Sequence, residues 1–210
     1  MTIDLYTYAT PNGHKASIML EETGLSYDVH VVDIERGDQH APEFLALNPN
    51  GKIPVIVDRA TRRTVFESGA ILLYLAQKSG RFNPPTPHEL IETLQWLFFQ
   101  VGHIGPMLGQ LWYFKVFAPE KIPLAIERYE REAARLFGVL NETLRDREYL
   151  MGDYGIADIA NWTWINAFPE LGLTLDGHPN LKHWQQAIAK RPAVIRGLVV
   201  PNLTEHKAAD

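Results

Sequence analysis

The chain has 210 residues and not one cysteine. That absence removes a disulfide framework, a thiolate metal site, a CxxC redox pair and a protein-borne thiol nucleophile, so any thiol chemistry must use a thiol that arrives with a ligand. Metal-binding histidine patterns are missing too: the 8 histidines include no HxxxH or HExxH spacing, and His178 and His183 are spaced to fall on different faces of a helix. No metal is expected. Neither sign of charge dominates, with 20 Lys and Arg against 25 Asp and Glu and a formal charge of −5. Like charges form no long block, which argues against nucleic acid as a partner. Long apolar runs are absent, and the opening MTIDLYTY has neither a basic region nor a small-residue cleavage site. The expectation is a cytoplasmic protein with no membrane partner. What is present is an ordinary globular composition, 46% hydrophobic and 21% charged, enough for one large core or two small ones.

Residues 1–80 alternate strand and helix patterns. A strand over 3–8 leads to a helix over 13–23 that stops at Gly24, and SYDVHVV follows with alternating Tyr27, Val29 and Val31. The polar stretch DIERGDQHAPEFLALNPNGK reads as a loop, IPVIVD (53–58) and TRRTVF (61–66) as a hairpin, and GAILLYLAQKSG (69–80) as a helix ending at Gly80. A βαβ unit followed by a hairpin and a helix is a thioredoxin-like arrangement. FNPPTP (82–87), with its clustered prolines, breaks the pattern. Beyond it only helical periodicity appears, over about 88–116, 123–146, 156–167, 179–190 and a short piece after Pro192. The first of these carries Gly102, Gly105, Pro106 and Gly109 and is expected to bend or break there. The predicted fold class is α/β plus all-α: a thioredoxin-like domain over 1–80, a linker over 81–87 and an all-helical domain over 88–210.

The segment ATPNGHK (9–15) lies where the first strand turns into the first helix, a place where outward N–H groups favour an anion. It offers Thr10, Pro11 and Asn12 but no strong nucleophile. The motifs around it are informative together. NPNGKIPVIVD, FESGAILLYLA, the Pro-rich linker and YGIADIANW resemble the cytosolic glutathione transferases over nearly the whole chain. TPNGHK, QWLFFQVGHIGPMLGQ and IERYERE narrow the resemblance to the bacterial Nu class, of the disulfide-bond oxidoreductase type, and to the fungal prion-related glutathione transferases.

The resemblance implies roles for particular residues. It implies a cis peptide between Ile53 and Pro54, which turns the Ile53 backbone toward the cysteinyl residue of a bound glutathione; read alone, Pro54 could equally start a strand. Glu67 and Ser68 match the γ-glutamyl site, a role compatible with Ser68 as a helix cap. Lys52 and Gln39 match positions used for the glycyl end and the peptide, while a solvated loop lysine is the plain alternative. Arg128 matches an arginine that reaches the active site of the partner subunit in a homodimer, although IERYERE taken by itself is a solvated, ion-paired helix face. In YGIADIA, Asp158 matches the third helical residue of a capping box, and Gly155 replaces the usual Ser or Thr at the cap. Trp112, Tyr113, Phe114, Met107 and Gln110 are candidate walls of a second-substrate pocket, though an aromatic cluster on a helix more commonly belongs to a core.

The implied chemistry places the thiol of glutathione over Thr10 and Asn12. A free thiol has a pKa of about 8.5, and lowering it by two units requires about 2.7 kcal/mol of preferential stabilisation of the thiolate. A helix N-terminus supplies roughly 0.3–2 kcal/mol and a charge-assisted hydrogen bond roughly 1.5–3, so the Thr10 hydroxyl, the Asn12 N–H and the helix together suffice. Tyr6 and Tyr8 remain alternative hydroxyl donors. The implied activity is glutathione-dependent reduction of small disulfides, with one or two glutathiones or one glutathione disulfide per subunit and with reduction of organic hydroperoxides as a related reaction. Conjugation of glutathione to an electrophile is the alternative enzyme, and a non-catalytic glutathione-binding regulatory module the alternative of another kind.

Overall fold

A computed structural model describes residues 2–203. These fall into two compact units, one of residues 2–83 and 190–203 and one of residues 84–189.

In the first unit, strand β1 (Ile3–Thr7) runs into helix α1 (Pro11–Thr23), and β2 (Tyr27–Val31) returns parallel to β1. Strands β3 (Val55–Asp58) and β4 (Arg63–Phe66) form the antiparallel hairpin, and α3 (Ser68–Ser79) follows. The mixed four-stranded sheet has the order β2-β1-β3-β4, with β1 antiparallel to β3. This is the thioredoxin-like fold. The stretch expected to be a loop holds a short helix, α2 (Pro42–Leu47), besides a 3₁₀ turn over Asp38–His40. Phe44 of α2 joins Val32 and Val55 in a buried cluster against which Tyr6, Leu47 and Ile53 pack. With so few residues, α2 owes its existence to this burial more than to propensity.

Helices α1 and α3 carry the other large buried set, including Ile18, Met19, Ile71, Leu72 and Leu75. Asp58, fully buried at the end of β3, accepts hydrogen bonds from Tyr74 Oη (2.5 Å) and Lys78 Nζ (2.6 Å), which tie the sheet to α3. The short C-terminal helix α9 (Pro192–Leu198) belongs to this unit and lies against α1. A Cβ on Gly197 would fall 2.6 Å from Ile18 Cα, so only glycine permits this approach. Ser17 Oγ donates to Gly197 O (2.7 Å), while Arg191 and Arg196 pair with Glu22 and Glu21.

The second unit contains α4 (Pro87–Phe99), α5 (Gly105–Trp112), α6 (Pro123–Thr143), α7 (Ile156–Ile165) and α8 (Pro179–Ala189). The expected break near Gly102 takes the form of a π turn over Gln100–Ile104 that keeps helical dihedrals at its ends, and a second π turn spans Tyr113–Phe117. Asp158 is fully buried, and its carboxylate accepts hydrogen bonds from the N–H groups of Leu150 and Gly155 (both 3.0 Å) and from Trp184 Nε1 (2.8 Å). Half of the capping box therefore survives the glycine at its head, and the same carboxylate fastens α7 to α8. Trp112 packs edge-on to Trp164, and Phe114 stacks on Tyr129. These rings thus take part in packing within the helical unit. No helix among the described residues is long and apolar enough to cross a membrane.

Candidate active site

The start of α1 is built by TPNG. Thr10 takes an extended conformation (φ −139°, ψ 161°) and caps the helix, its Oγ1 accepting from Gly13 N–H at 3.1 Å. Pro11 has no N–H to leave unsatisfied, so Asn12 is the first helical residue that carries one. Gly13 is required by space, since a Cβ there would sit 2.1 Å from Tyr8 O and 2.6 Å from Thr7 Oγ1. The motif brings the helix terminus tightly onto the end of β1.

Beside it is a cleft of about 170 Å³ lined by Asn12, Asn48, Asn50, Lys52, Ile53, Pro54, Glu67 and Ser68. Five of the sequence-derived candidates besides Asn12 therefore share one wall system. The Ile53-Pro54 bond is cis, and paired residues of β3 begin only at Val55, which leaves Ile53 ahead of the ladder. Buried Asn48 shapes the preceding turn: its Nδ2 donates to Lys52 O (2.7 Å) and its Oδ1 accepts from Asn50 N–H (3.0 Å). Glu67, and not Ser68, occupies the cap of α3, with φ +68° and ψ 116°. A glutamate held at positive φ is strained backbone of the kind that clusters at ligand sites. Ser68, at the first helical position, is buried with its hydroxyl on the cleft.

Gln39 stands in the 3₁₀ turn over Asp38–His40. Its Nε2 contacts Ile34 O (3.5 Å) and His40 Nε2 (3.3 Å), and its buried Oε1 has no hydrogen-bond partner among the described residues. Arg128 lies on the exposed side of α6 in the second unit. Its neighbours are engaged, Arg131 with Glu127 (3.3 Å), Arg135 with Glu132 (2.7 Å) and Lys115 with Glu130 (2.9 Å); among the described residues no ion pair holds Arg128. The alternative hydroxyl donors, Tyr6 and Tyr8, keep their protons. Tyr6 stacks on His30 with centroids 4.5 Å apart, and burial followed by the Asp4 charge pushes its phenol up. Tyr8 is buried, and burial with Asp33 and Glu35 raises its phenol too, so neither is set up as a phenolate.

One residue of the site was not anticipated. Lys15 is 1% exposed, and its Nζ donates to Asn12 Oδ1 (2.9 Å) and to Ser68 Oγ (3.2 Å). Burial pushes its ammonium down to about 7, with the Glu67 carboxylate pulling the other way. The available signal was a lysine three residues after Asn12, one turn along on the same helix face.

A thioredoxin-like unit with a cleft at its cis-proline, followed in sequence by a helical unit, is an arrangement shared with solved glutathione transferases. The chain belongs to the glutathione S-transferase family, whose N-terminal domain matches residues 9–78 and whose C-terminal domain matches residues 106–192. It is 47% identical over 212 residues to the disulfide-bond oxidoreductase YfcG of Escherichia coli (strain K12), covering 98% of this chain and 99% of that one. It is 33% identical to the protein URE2 of Eremothecium gossypii, over 90% of this chain and 65% of that one. Among solved structures it is similar to a glutathione transferase from Burkholderia graminis with two glutathione molecules bound per subunit (TM-score 0.91, 45% identity, 95% of this chain and 88% of that one). A second is the glutathione transferase from Pseudomonas putida with one glutathione disulfide bound per subunit (TM-score 0.89, 42% identity, 95% and 92% coverage).

Proposed function

We propose that the protein is a glutathione-dependent disulfide-bond oxidoreductase, acting as a cytoplasmic homodimer on small disulfides. The observation that carries this reading is the cysteine-free terminus of α1 beside the cleft, with Asn12 on the cleft wall and Thr10 two residues before it at the helix cap. The activity for which the Escherichia coli relative is named and the ligands of the Burkholderia and Pseudomonas structures support it.

In this reading Ser68 and the α3 terminus take the γ-glutamyl carboxylate and Glu67 the ammonium. The Ile53 backbone pairs with the cysteinyl residue, and Lys52 with Gln39 takes the glycyl end, Gln39 Oε1 finding there the partner it needs. Thr10 Oγ1 accepts from Gly13 N–H and still has its own proton to give, so it donates to the sulfur alongside the Asn12 N–H. The thiolate attacks one sulfur of RSSR, forming a mixed disulfide and releasing RS⁻, which takes up a proton. A second glutathione thiolate attacks the mixed disulfide, yielding glutathione disulfide and the second RS⁻. Organic hydroperoxides are reduced by the same thiolate, with the sulfenic acid condensed by the second thiol.

The test is stoichiometry with bis(2-hydroxyethyl) disulfide. Two glutathiones are consumed and one glutathione disulfide formed per substrate, and treatment of the ligand-free protein with iodoacetamide, then removed, leaves the rate intact. Consumption of one glutathione with a thioether product assigns conjugation instead. A rate that survives without glutathione refutes the reading.

A further inference from the structure

Lys15 is a charged side chain buried among apolar residues of α1, and burial of an ammonium is costly unless its protons are taken. Two of its acceptors are side chains of the cleft wall, Asn12 Oδ1 at 2.9 Å and Ser68 Oγ at 3.2 Å. They come from different elements, α1 and the start of α3. At pH 6, below the value of about 7 to which burial brings it, Lys15 is an ammonium and has donors only. An asparagine amide whose oxygen is committed to it presents its NH₂ end elsewhere. A hydroxyl that accepts from it is left to use its O–H as a donor.

We propose that Lys15 is a positioning residue that sets the polarity of the cleft: by donating to Asn12 and Ser68 from the buried side, it turns both toward donating to the thiolate and carboxylate of glutathione. The inference rests on the glutathione reading and adds to it a group that touches no ligand atom. It also accounts for a lysine where an apolar residue would pack at lower cost. Without the ammonium, the Asn12 amide oxygen and the Ser68 hydroxyl each lose a donor that orients them, and a flip of the amide or a rotation of the hydroxyl presents a lone pair to an anion.

The experiment measures binding of S-methylglutathione, whose thioether cannot form a disulfide, by titration calorimetry at pH 6, together with urea unfolding of the same proteins. Lys15→Met is expected to bind at least tenfold more weakly while its unfolding midpoint stays level or rises, because a buried charge has been removed. Ser68→Ala is expected to weaken binding at least tenfold in the wild-type background and less than threefold in the Lys15→Met background, since the two act as one unit. Should Lys15→Met not fold, the same cycle is run on Lys15→Leu. Binding within twofold of wild type, losses that follow loss of stability, or additive effects of Lys15 and Ser68 overturn the proposal. Wild-type protein that does not bind S-methylglutathione refutes the glutathione reading itself, a separate outcome.

Discussion

Thr10 has one task the structure shows and a second that the proposed function gives it, and substitution can separate them. Its Oγ1 accepts from Gly13 N–H at 3.1 Å and thereby caps α1; its proton is assigned to the glutathione sulfur. Thr10→Ala loses both, which predicts about 1 kcal/mol of lost stability from the cap and a fall of about tenfold, or ~1.4 kcal/mol, in kcat/KM from the hydroxyl. Thr10→Ser keeps both within about twofold. Thr10→Asp is the informative change. Aspartate caps a helix at least as well as threonine and suits the helix dipole, so stability holds to within about 0.5 kcal/mol. Its carboxylate, however, faces a thiolate at roughly 4 Å, where two like charges at an effective dielectric of 20 repel by about 4 kcal/mol. A loss of several hundredfold in kcat/KM is expected from a protein that unfolds at the wild-type urea concentration. The assay is reduction of bis(2-hydroxyethyl) disulfide at saturating glutathione, beside urea unfolding followed by tryptophan fluorescence. If Thr10→Asp retains half the wild-type rate, or if activity tracks stability across the three variants, the hydroxyl does not face the sulfur.

Burial alone would raise the Asp58 carboxyl, but hydrogen bonds from Lys78, Tyr74 and the Ala60 N–H hold it well below the carboxylate range. Its contribution is present above pH 3.8 and is lost as pH falls toward the folded value. Asp58→Asn should therefore cost about 3 kcal/mol at pH 7 and flatten the acid limb of the stability profile, as read by urea midpoints from pH 2 to 7. Lys15 has the opposite sign: between about 7 and 10.5 the unfolded chain holds a proton that the folded one does not. Stability then rises with pH across that window by at most roughly 1.4 kcal/mol per unit, and Lys15→Met should abolish the rise. If Arg128 acts across a two-fold interface, mixing inactive Ser68→Leu with inactive Arg128→Ala subunits restores activity at one of the two sites of the heterodimer. A monomer by light scattering at micromolar concentration would defeat that assignment.

The strands and most helices were legible because their apolar spacing is regular: Tyr27, Val29 and Val31 mark β2 even though Val29 is exposed on this edge strand, and Gly24 and Gly80 fall at the left-handed caps of α1 and α3. Cleft-lining residues such as Lys52, Ile53, Glu67 and Ser68 were legible because the family motifs carry them. Other features were set by tertiary packing. Helix α2 is too short for a periodic signal and is held by Phe44. The π turns insert extra residues per turn into one apolar stripe, so α4 and α5 look from sequence like a single bent helix. Helix α9 continues the helical pattern of the C-terminal residues, and nothing in periodicity says which unit it covers. Lys15 was hidden because α1 buries Ala16, Ser17, Ile18, Met19 and Leu20 in succession; no polar face stood out from which a lysine would be conspicuously missing.

The seat of α9 on α1 has a consequence for how the first unit is made. Ile18, Ser17, Glu21 and Glu22 all find partners among residues 191–197, which leave the ribosome more than a hundred residues after the sheet is complete. During synthesis the last contacts of the thioredoxin-like unit form only with a helix that emerges near the end of translation, after the whole helical unit has been produced. A gene fragment stopped at residue 83 would therefore yield an unfinished object, with one flank of α1 bare and two glutamates without their arginines. Fusing residues 190–203 directly behind that fragment is the natural way to obtain this unit by itself.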